Sequence, residues 1–404
     1  MRYYPRAIAE TIRRVGSTFP ALIVTGPRQV GKTTVLSKVL EAKYLTFDDL
    51  LLRESALLNP SGFLDANQPP VILDEIQYAT DLLVYLKMRI DSDGGHGLYY
   101  LTGSQQFELM KGVTESLAGR IAVLPMLGLS ARELRGLEFF DPFLPSKDFI
   151  SRALSYDRSD ASVWPLIYRG SMPRIWADET IDRDIFYSSY IRTYIERDVR
   201  SLTQIGDELS FLNFMRVIAA NTAQLLNLDT ISKEVGVSAP TVKRWLSVLI
   251  ASGLVFLLRP YHTNQIKTTT KTPKLYFLET GLAAYLTRWP NAETLEAGAA
   301  SGAFFETFVV SEIIKSYYNV GKEPPIYFYR DSHKNEIDLV FEVGDALYPV
   351  EIKKTTNPHY ADTQVFTKLD TITGRLRGTG ALICQATDVV PVGNDSTILP
   401  VGLL

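Results

Sequence analysis

Residues 21–34 read Ala-Leu-Ile-Val-Thr-Gly-Pro-Arg-Gln-Val-Gly-Lys-Thr-Thr. A β-branched apolar run breaks at Gly26, and helix-forming residues begin after Gly31. Gly26, Pro27, Arg28, Gln29, Val30, Gly31, Lys32 and Thr33 fill the spacing G-x-x-x-x-G-K-[ST] of a P-loop, and Thr34 carries it into the helix. The residue types follow from the ligand that such a loop holds. Polyphosphate sits on consecutive backbone N–H groups at a helix N-terminus, so glycines must let the backbone close around it. Lys32 must reach the terminal phosphates, and Thr33 supplies a hydroxyl for Mg²⁺. The stretch therefore predicts a polyphosphate ligand with Mg²⁺, held on a strand-to-helix turn.

The chain around it predicts a parallel sheet. A lead-in helix is expected over Ala7 to Arg14, a strand over Ala21 to Thr25 and a helix over Lys32 to Leu40. A second strand, Tyr44 to Phe47, precedes a polar helix over Leu51 to Leu58. Pro69-Pro-Val-Ile-Leu-Asp-Glu-Ile-Gln77 then sets an apolar strand directly before two acids, a Walker B pattern. Asp74 at the strand's C-terminal edge can hold Mg²⁺ through water, and Glu75 can orient and deprotonate the water attacking the γ-phosphate. A strand over Leu98 to Thr102 ends in Gly103-Ser104, which makes Thr102 and Ser104 sensor candidates; a strand cap before an N-capped helix at Gln105 to Leu117 reads equally well. Arg120, ahead of a strand at Ile121 to Pro125, could reach a neighbouring subunit's phosphate as an arginine finger, which requires at least a dimer. The same position suits a plain cation favoured by a helix C-terminus.

Composition bounds these readings. The 404 residues exceed one ordinary domain, and 46% hydrophobic with 22% charged residues is the balance of a globular chain of two to four domains. A net charge of −3 excludes wholesale coating of a polyanion, so any DNA contact must come from a local patch. The single cysteine, Cys384, cannot form an intramolecular disulfide, and four histidines without a cysteine cluster argue against structural zinc. The opening Met-Arg-Tyr-Tyr-Pro-Arg leads into no apolar signal region and no membrane-length apolar run exists, so a cytoplasmic protein with no membrane partner is expected.

The P-loop, the Asp-Glu Walker B, the Thr-Gly-Ser strand end and the Gly-Arg pair, in this order, resemble the AAA-family ATPases. More narrowly, the chain resembles a prokaryotic group in which such an ATPase is fused to a C-terminal region of unknown function. Gly26-Pro-Arg-Gln-Val-Gly-Lys-Thr-Thr34, Leu73-Asp-Glu-Ile-Gln77, Leu117-Ala-Gly-Arg120, Tyr194-Ile-Glu-Arg-Asp198 and Lys274-Leu-Tyr-Phe-Leu-Glu-Thr-Gly-Leu282 carry the likeness. One departure is Glu279, where the resemblance leads to aspartate before Thr-Gly-Leu. The likeness implies ATP binding and hydrolysis and no uniform biological task.

Beyond Pro142 the pattern turns helical, with a connector over Ile181 to Ser201 and an amphipathic helix over Phe211 to Leu226. Thr230 to Leu246 supplies a short helix, a Gly turn and a second helix capped near Ser238, with Leu246, Leu249 and Ile250 on its buried side: a helix-turn-helix. Residues 251–258 resemble the hairpin of a winged helix, and Arg259, Lys267, Lys271 and Lys274 among threonines suit a basic wing. Thr241, Lys243 and Arg244 would face a DNA groove, while such modules also serve as protein contacts or nucleotide lids.

In the last region, Phe304 to Ile314 reads as an amphipathic helix and Asn335 to Lys354 as a hairpin turning at Gly344-Asp345. Asp338 and Glu351-Ile-Lys353 on adjoining strands resemble the metal-dependent PD-(D/E)xK nucleases. Asp338 and Glu351 would hold Mg²⁺, Lys353 would polarise water, and Glu306 would be a further ligand. The expected fold is thus α/β: an AAA-type parallel sheet over 1–140, a helical connector over 141–210, a winged helix-turn-helix over 211–272 and a nuclease-like α/β domain over 273–404. The expected function is an ATPase that couples nucleotide state to its C-terminal half, acting on duplex DNA. The alternative is a nucleotide-gated interaction module with a catalytically silent nuclease-like domain.

Overall fold

The computed structural model describes residues 2–103, 112–113, 116–156, 162–194, 208–261, 272–331, 333–372, 374–393 and 395–404. The expected Ser104, most of the helix at 105–117, residues 195–198 and the wing cations Lys267 and Lys271 lie outside the described residues.

Helix α1 (Ile8–Gly16) precedes strand β1 (Ala21–Thr25) and helix α2 (Lys32–Val39). With β2 (Lys43–Thr46), β3 (Val71–Asp74), β4 (Tyr99–Thr102) and β5 (Ile121–Pro125), β1 forms a sheet in the order β2-β3-β4-β1-β5, parallel throughout. Both β1 and β5 coincide with their sequence-based limits. The strand period of two divides β1 between two cores: Leu22 and Val24 pack with Ile8, Ile12 and Leu36, whereas Ala21 and Ile23 pack with Leu73 and Leu86. A strand buried on both faces needs the continuous apolar run that Ala21 to Val24 provides. The sheet's C-terminal edge therefore presents Thr25, Asp74 and Thr102 side by side.

Helix α3 (Glu208–Ala220) stops before the expected Leu226. Ala223 adopts φ 60° and donates to the Leu275 carbonyl at 2.7 Å, which turns the chain into the short strand β6 (Gln224–Leu225). Helix α4 (Leu228–Val235), a left-handed Gly236 and helix α5 (Ala239–Ala251) follow as a helix-turn-helix. Trp245 of α5 fills the gap against Phe211 and Phe214 of α3, with ring centroids 5.3 and 5.5 Å away. Strands β7 (Val255–Leu258) and β8 (Lys274–Phe277) complete an antiparallel sheet in the order β6-β8-β7. Ile250 is 38% exposed, contrary to its expected place on the buried side; it sits one residue past Leu249 and looks into a cleft shared with the P-loop.

Helix α6 (Ser301–Tyr318) crosses the last sheet and is buried on most of its circumference, which corrects the amphipathic reading. Its polar residues are buried with partners. Glu312 accepts from Ala131 N at 2.8 Å and Lys315 donates to the Leu129 carbonyl at 3.0 Å, so α6 bolts the last region to the first. The sheet contains β9 (Ile326–Arg330), β10 (Glu336–Val343), β11 (Ala346–Ile352), β12 (Leu376–Arg377), β13 (Gly380–Cys384), β14 (Val390–Val392) and β15 (Ser396–Pro400), ordered β14-β15-β13-β11-β10-β9 with β12 on β11. The expected hairpin is present as β10 and β11, turning at Gly344 with φ 59°.

Candidate functional site

The loop between β1 and α2 can exist only with its glycines. Gly26 has φ 136°, and a Cβ there would stand 2.0 Å from the Met126 carbonyl oxygen; Gly31 has φ 93° and Gln29 φ 62°. These left-handed residues give the tight backbone turn that a phosphate-binding loop requires. Lys32 is buried, and its Nζ donates to the carbonyls of Gly26 at 2.9 Å and Pro27 at 2.8 Å. Arg28, Val30 and Thr34 complete the motif in the order expected, with Val30 packed in the core.

Sequence reading missed what braces this loop. Arg6, 6% exposed, donates from Nη1 to the Val30 carbonyl at 2.7 Å and from Nη2 to the Leu127 carbonyl at 2.8 Å. Its Nε donates to Glu133 at 3.0 Å, and Glu133 is itself held in the capping box of Ser130. A planar guanidinium with five donors satisfies several fixed acceptors at once, and no signal in the Met-Arg-Tyr-Tyr-Pro-Arg opening marks it.

Asp74 collects three hydroxyls. Thr33 Oγ1 donates to Oδ1 at 2.7 Å, Thr102 Oγ1 donates to the same oxygen, and Tyr44 OH donates to Oδ2 at 2.8 Å. Burial, followed by this hydrogen bond to Asp74, pushes the Tyr44 phenol up to about 12, so it stays a donor. Thr102 also accepts from the Glu75 amide at 3.3 Å, and Gln77 Nε2 donates to the Glu75 carboxylate. Glu75 has φ 56° and ψ 44°, a region that side chains seldom adopt, so the turn after β3 holds it against a local cost. The structure thus brings Lys32, Thr33, Asp74, Glu75 and Thr102 together. The oxygen-only set of Thr33 and Asp74 beside the glycine cradle suits a hard divalent ion.

Arg120 stands apart from them. Ala21 pairs with Ile121, so Arg120 lies at the edge of the sheet opposite the P-loop, where its guanidinium grips Asp91 at 2.5 and 3.0 Å. Glu279 is buried and accepts from Ser171 N at 2.9 Å, from the Ser171 hydroxyl and from Tyr187 OH at 3.0 Å; it ties the 170–171 turn to the connector helix Arg183–Tyr194. On α5, Ser238 caps the helix by accepting from Thr241 N at 3.3 Å, Thr241 is half-buried, and Lys243 and Arg244 are exposed side by side.

A second constellation lies in the C-terminal region. Register places Leu339 opposite Val350, and the next step sets Asp338 opposite Glu351 on one face. Asp338 Oδ2 accepts from Ile352 N at 2.9 Å, and Lys353 Nζ pairs with Glu351 Oε1 at 2.9 Å. Tyr276 OH donates to Glu306 Oε1 at 2.7 Å. Lys274, read from sequence as a wing cation, is instead buried here: its Nζ stands 3.2 Å from Glu306 Oε1, 2.6 Å from Glu336 Oε1 and 3.3 Å from Asp338 Oδ1. Burial raises the Glu306 and Glu351 carboxyls, Asp338 raises both further, and the nearby lysines oppose the shift. The expected metal pair does not fit as it stands. Glu306 and Asp338 are occupied by an ammonium, and among the described residues no group of three ligating side chains is placed to hold an ion.

Comparison with known proteins gives family matches to three stretches of the chain. Residues 18–135 match the AAA domain, residues 161–293 match a domain of unknown function, DUF8612, and residues 301–404 match another, DUF4143. Two uncharacterized proteins, Mb2031c of Mycobacterium bovis and Rv2008c of Mycobacterium tuberculosis, are each 28% identical over 359 residues, spanning 87% of this chain and 74% of theirs. Among solved structures, AMPPCP-bound DnaA from Aquifex aeolicus aligns over 60% of this chain and 85% of that one, at 12% identity and a TM-score of 0.24. A signal transduction ATPase with a tetratricopeptide repeat sensor from Pyrococcus horikoshii aligns over 79% of this chain and 48% of that one, at 12% identity and a TM-score of 0.27. Among the described residues no helix is long and apolar enough to cross a membrane. Residues 18–135, which hold the first site, are thus similar to the AAA domain, and residues 301–404 are similar to DUF4143.

Proposed function

We propose that the protein is an ATP- and Mg²⁺-dependent ATPase whose nucleotide state is coupled to a winged helix and a nuclease-like C-terminal half that engage duplex DNA. The observation that carries the ATPase reading is the chain of contacts Thr33–Asp74–Thr102–Glu75, which links both nucleotide motifs from helix α2 across the ends of β3 and β4. In this reading the backbone of Gly26 to Thr34 binds the phosphates. Lys32 leaves the Gly26 and Pro27 carbonyls for a phosphate oxygen. Thr33 and Asp74 would hold Mg²⁺, which supplies charge neutralisation for the transferring phosphoryl group. Glu75, kept in place by Gln77, accepts the proton of the attacking water, and Thr102 fixes the angle between Asp74 and Glu75. Because Arg120 faces away from its own P-loop, it acts only on a phosphate bound by a second copy of the chain.

Coupling is supported by a direct seam. A Cβ at Gly253, which follows α5, would stand 3.0 Å from Pro27 Cδ, so the P-loop and the start of β7 are in contact. Beside this seam lies a cleft of about 590 Å³ lined by Gly26, Met126, Ile250, Gly253, Phe256 and Tyr318. The domain limits that go with this reading are 1–140, 141–210, 211–272 and 273–404. The order α3, β6, α4, α5, β7, β8 is that of a winged helix, and the exposed Lys243 and Arg244 are its groove-facing cations. Burial of Lys274 among Glu306, Glu336 and Asp338 favours a C-terminal domain that binds without cutting.

Phosphate release measured with and without duplex DNA tests the proposal. Wild type should turn over, Lys32→Ala should lose nucleotide binding, and Glu75→Gln should bind nucleotide without turnover. Equal phosphate release from all three proteins would sink the ATPase reading, and rates indifferent to DNA at low salt would sink the DNA coupling.

A further inference from the structure

Tyr44 is the one hydrogen-bond partner of the Asp74 carboxylate, among the described residues, that no nucleotide motif supplies. Thr33 of the P-loop and Thr102 at the end of β4 both donate to Oδ1, while Tyr44 OH donates to Oδ2 at 2.8 Å. Register explains its reach. Thr46 of β2 pairs with Asp74 of β3, and Tyr44 stands two residues earlier on the same face of β2. Two residues of strand rise about 7 Å, which a phenol spans and a serine or threonine hydroxyl does not. Strand β2 is the outer strand of its sheet and Tyr44 is 44% exposed, so the ring lies at the sheet's edge with its hydroxyl turned inward.

The division of donors between the two oxygens has a mechanical effect. Donors on one oxygen alone leave the plane of a carboxylate free to tilt, because its terminal torsion is broad. A donor on the second oxygen fixes that plane. Mg²⁺ demands near-ideal octahedral geometry at short distance, so Thr33 and Asp74 serve it only while lone pairs of both point to one place. Hydrogen-bond partners that orient a metal's ligands are worth roughly 10–100-fold in its affinity. Tyr44 meets Asp74 in that way, from a strand that carries neither the P-loop nor the Walker B acids.

We propose that Tyr44 is a positioning residue of the nucleotide site: its hydroxyl fixes the plane of the Asp74 carboxylate and so sets the affinity of the Thr33–Asp74 pair for Mg²⁺. It touches neither the nucleotide nor the ion. The inference rests on reading the first site as one for ATP with Mg²⁺, and it adds to that site a residue of the edge strand.

The test measures binding rather than turnover. Fluorescent N-methylanthraniloyl-ADP is titrated onto the full chain in EDTA and then at rising Mg²⁺. Wild type should bind the probe more tightly as Mg²⁺ rises; a wild type indifferent to Mg²⁺ would overturn the reading of the site and this inference with it. Tyr44→Phe should keep the EDTA affinity within about twofold of wild type and raise the half-saturating Mg²⁺ by about fivefold or more. Added to Asp74→Asn, it should raise the Mg²⁺ requirement no further, because both changes act through one carboxylate. A smaller rise in Tyr44→Phe, with wild type still dependent on Mg²⁺, would overturn the inference and leave the site's reading standing. So would a loss of affinity in EDTA together with a lower melting temperature, the mark of a merely structural role, or an undiminished effect in the Asp74→Asn background.

Discussion

Two buried lysines sit in opposite circumstances. Lys32 of the P-loop rests on the neutral carbonyls of Gly26 and Pro27, whereas Lys274 is ringed by carboxylates of Glu306, Glu336 and Asp338. Hydrogen bonds to carbonyls are exchanged for a phosphate oxygen at little cost, because an anion is a better partner than a dipole. A cation that neutralises several buried carboxylates has no such exchange open to it, since removing it strands the acids. The same side chain is therefore a reaching arm in one place and a clasp in the other, and the charge of its acceptors decides which.

The largest expected effect is on the clasp. Lys274→Ala should destabilise the chain by roughly 3–5 kcal/mol, the cost of leaving buried charge uncompensated, read as a fall in the urea midpoint. Lys32→Ala should cost about 1 kcal/mol or less in the same melt while removing nucleotide binding; equal stability losses would erase the contrast. Next in size, Thr102→Val should keep nucleotide binding and slow phosphate release by about 10²-fold, the scale of a misplaced catalytic group. A rate within twofold of wild type would detach Thr102 from the Asp74–Glu75 geometry.

The pH dependence of stability sharpens the comparison. The Glu306 carboxyl is pushed up to about 7 and that of Glu351 to about 8, by burial and then by Asp338. Folding raises both above their unfolded values. Their contribution is thus complete below about pH 4 and is lost as pH rises through 7 and 8. Lys274 and Lys353 are pushed upward and stay charged throughout that window, while the Tyr276 phenol facing Glu306 stays protonated. Wild type should lose on the order of a few kcal/mol between pH 6 and 9, and Glu351→Gln should flatten that slope. An identical slope in the variant would place the proton elsewhere. The smallest effect concerns α5: Lys243→Ala with Arg244→Ala should weaken duplex DNA retention and reduce the salt slope by about two, with no change in melting temperature.

Legibility followed sequence distance. The P-loop occupies consecutive residues, so its glycines, Lys32 and Thr33 could be read directly, and the apolar run of β1 fixed its limits. Asp74 and Thr102 were found because each ends a short strand, and parallel neighbours bring strand ends to one edge. Asp338, Glu351 and Lys353 form one group in the sequence because a hairpin sets them on adjoining antiparallel strands, and Glu306 joins them from the preceding helix through the nuclease resemblance. Lys274 was misread because a lysine among threonines has the local pattern of an exposed wing, and nothing nearby shows that the chain passes four carboxylates 32 to 77 residues further on. Arg6 was missed because its partners begin at Val30 and end at Glu133. The strands after residue 376 are short, and their run of Gly, Thr and Ala carries little periodicity.

The Arg6 brace has a consequence for the order in which competence is acquired. Its ties run from Val30, 24 residues away, to Leu127 and Glu133, 121 and 127 residues away. Contacts of such separation form late, after loop-closure entropy has been met by the rest of the sheet. A peptide carrying only β1, the loop and α2 would contain every motif residue and still lack the scaffold that shapes it. Phosphate affinity at the P-loop is thus a property of the closed five-strand unit, and its appearance during refolding marks the moment at which β5 docks.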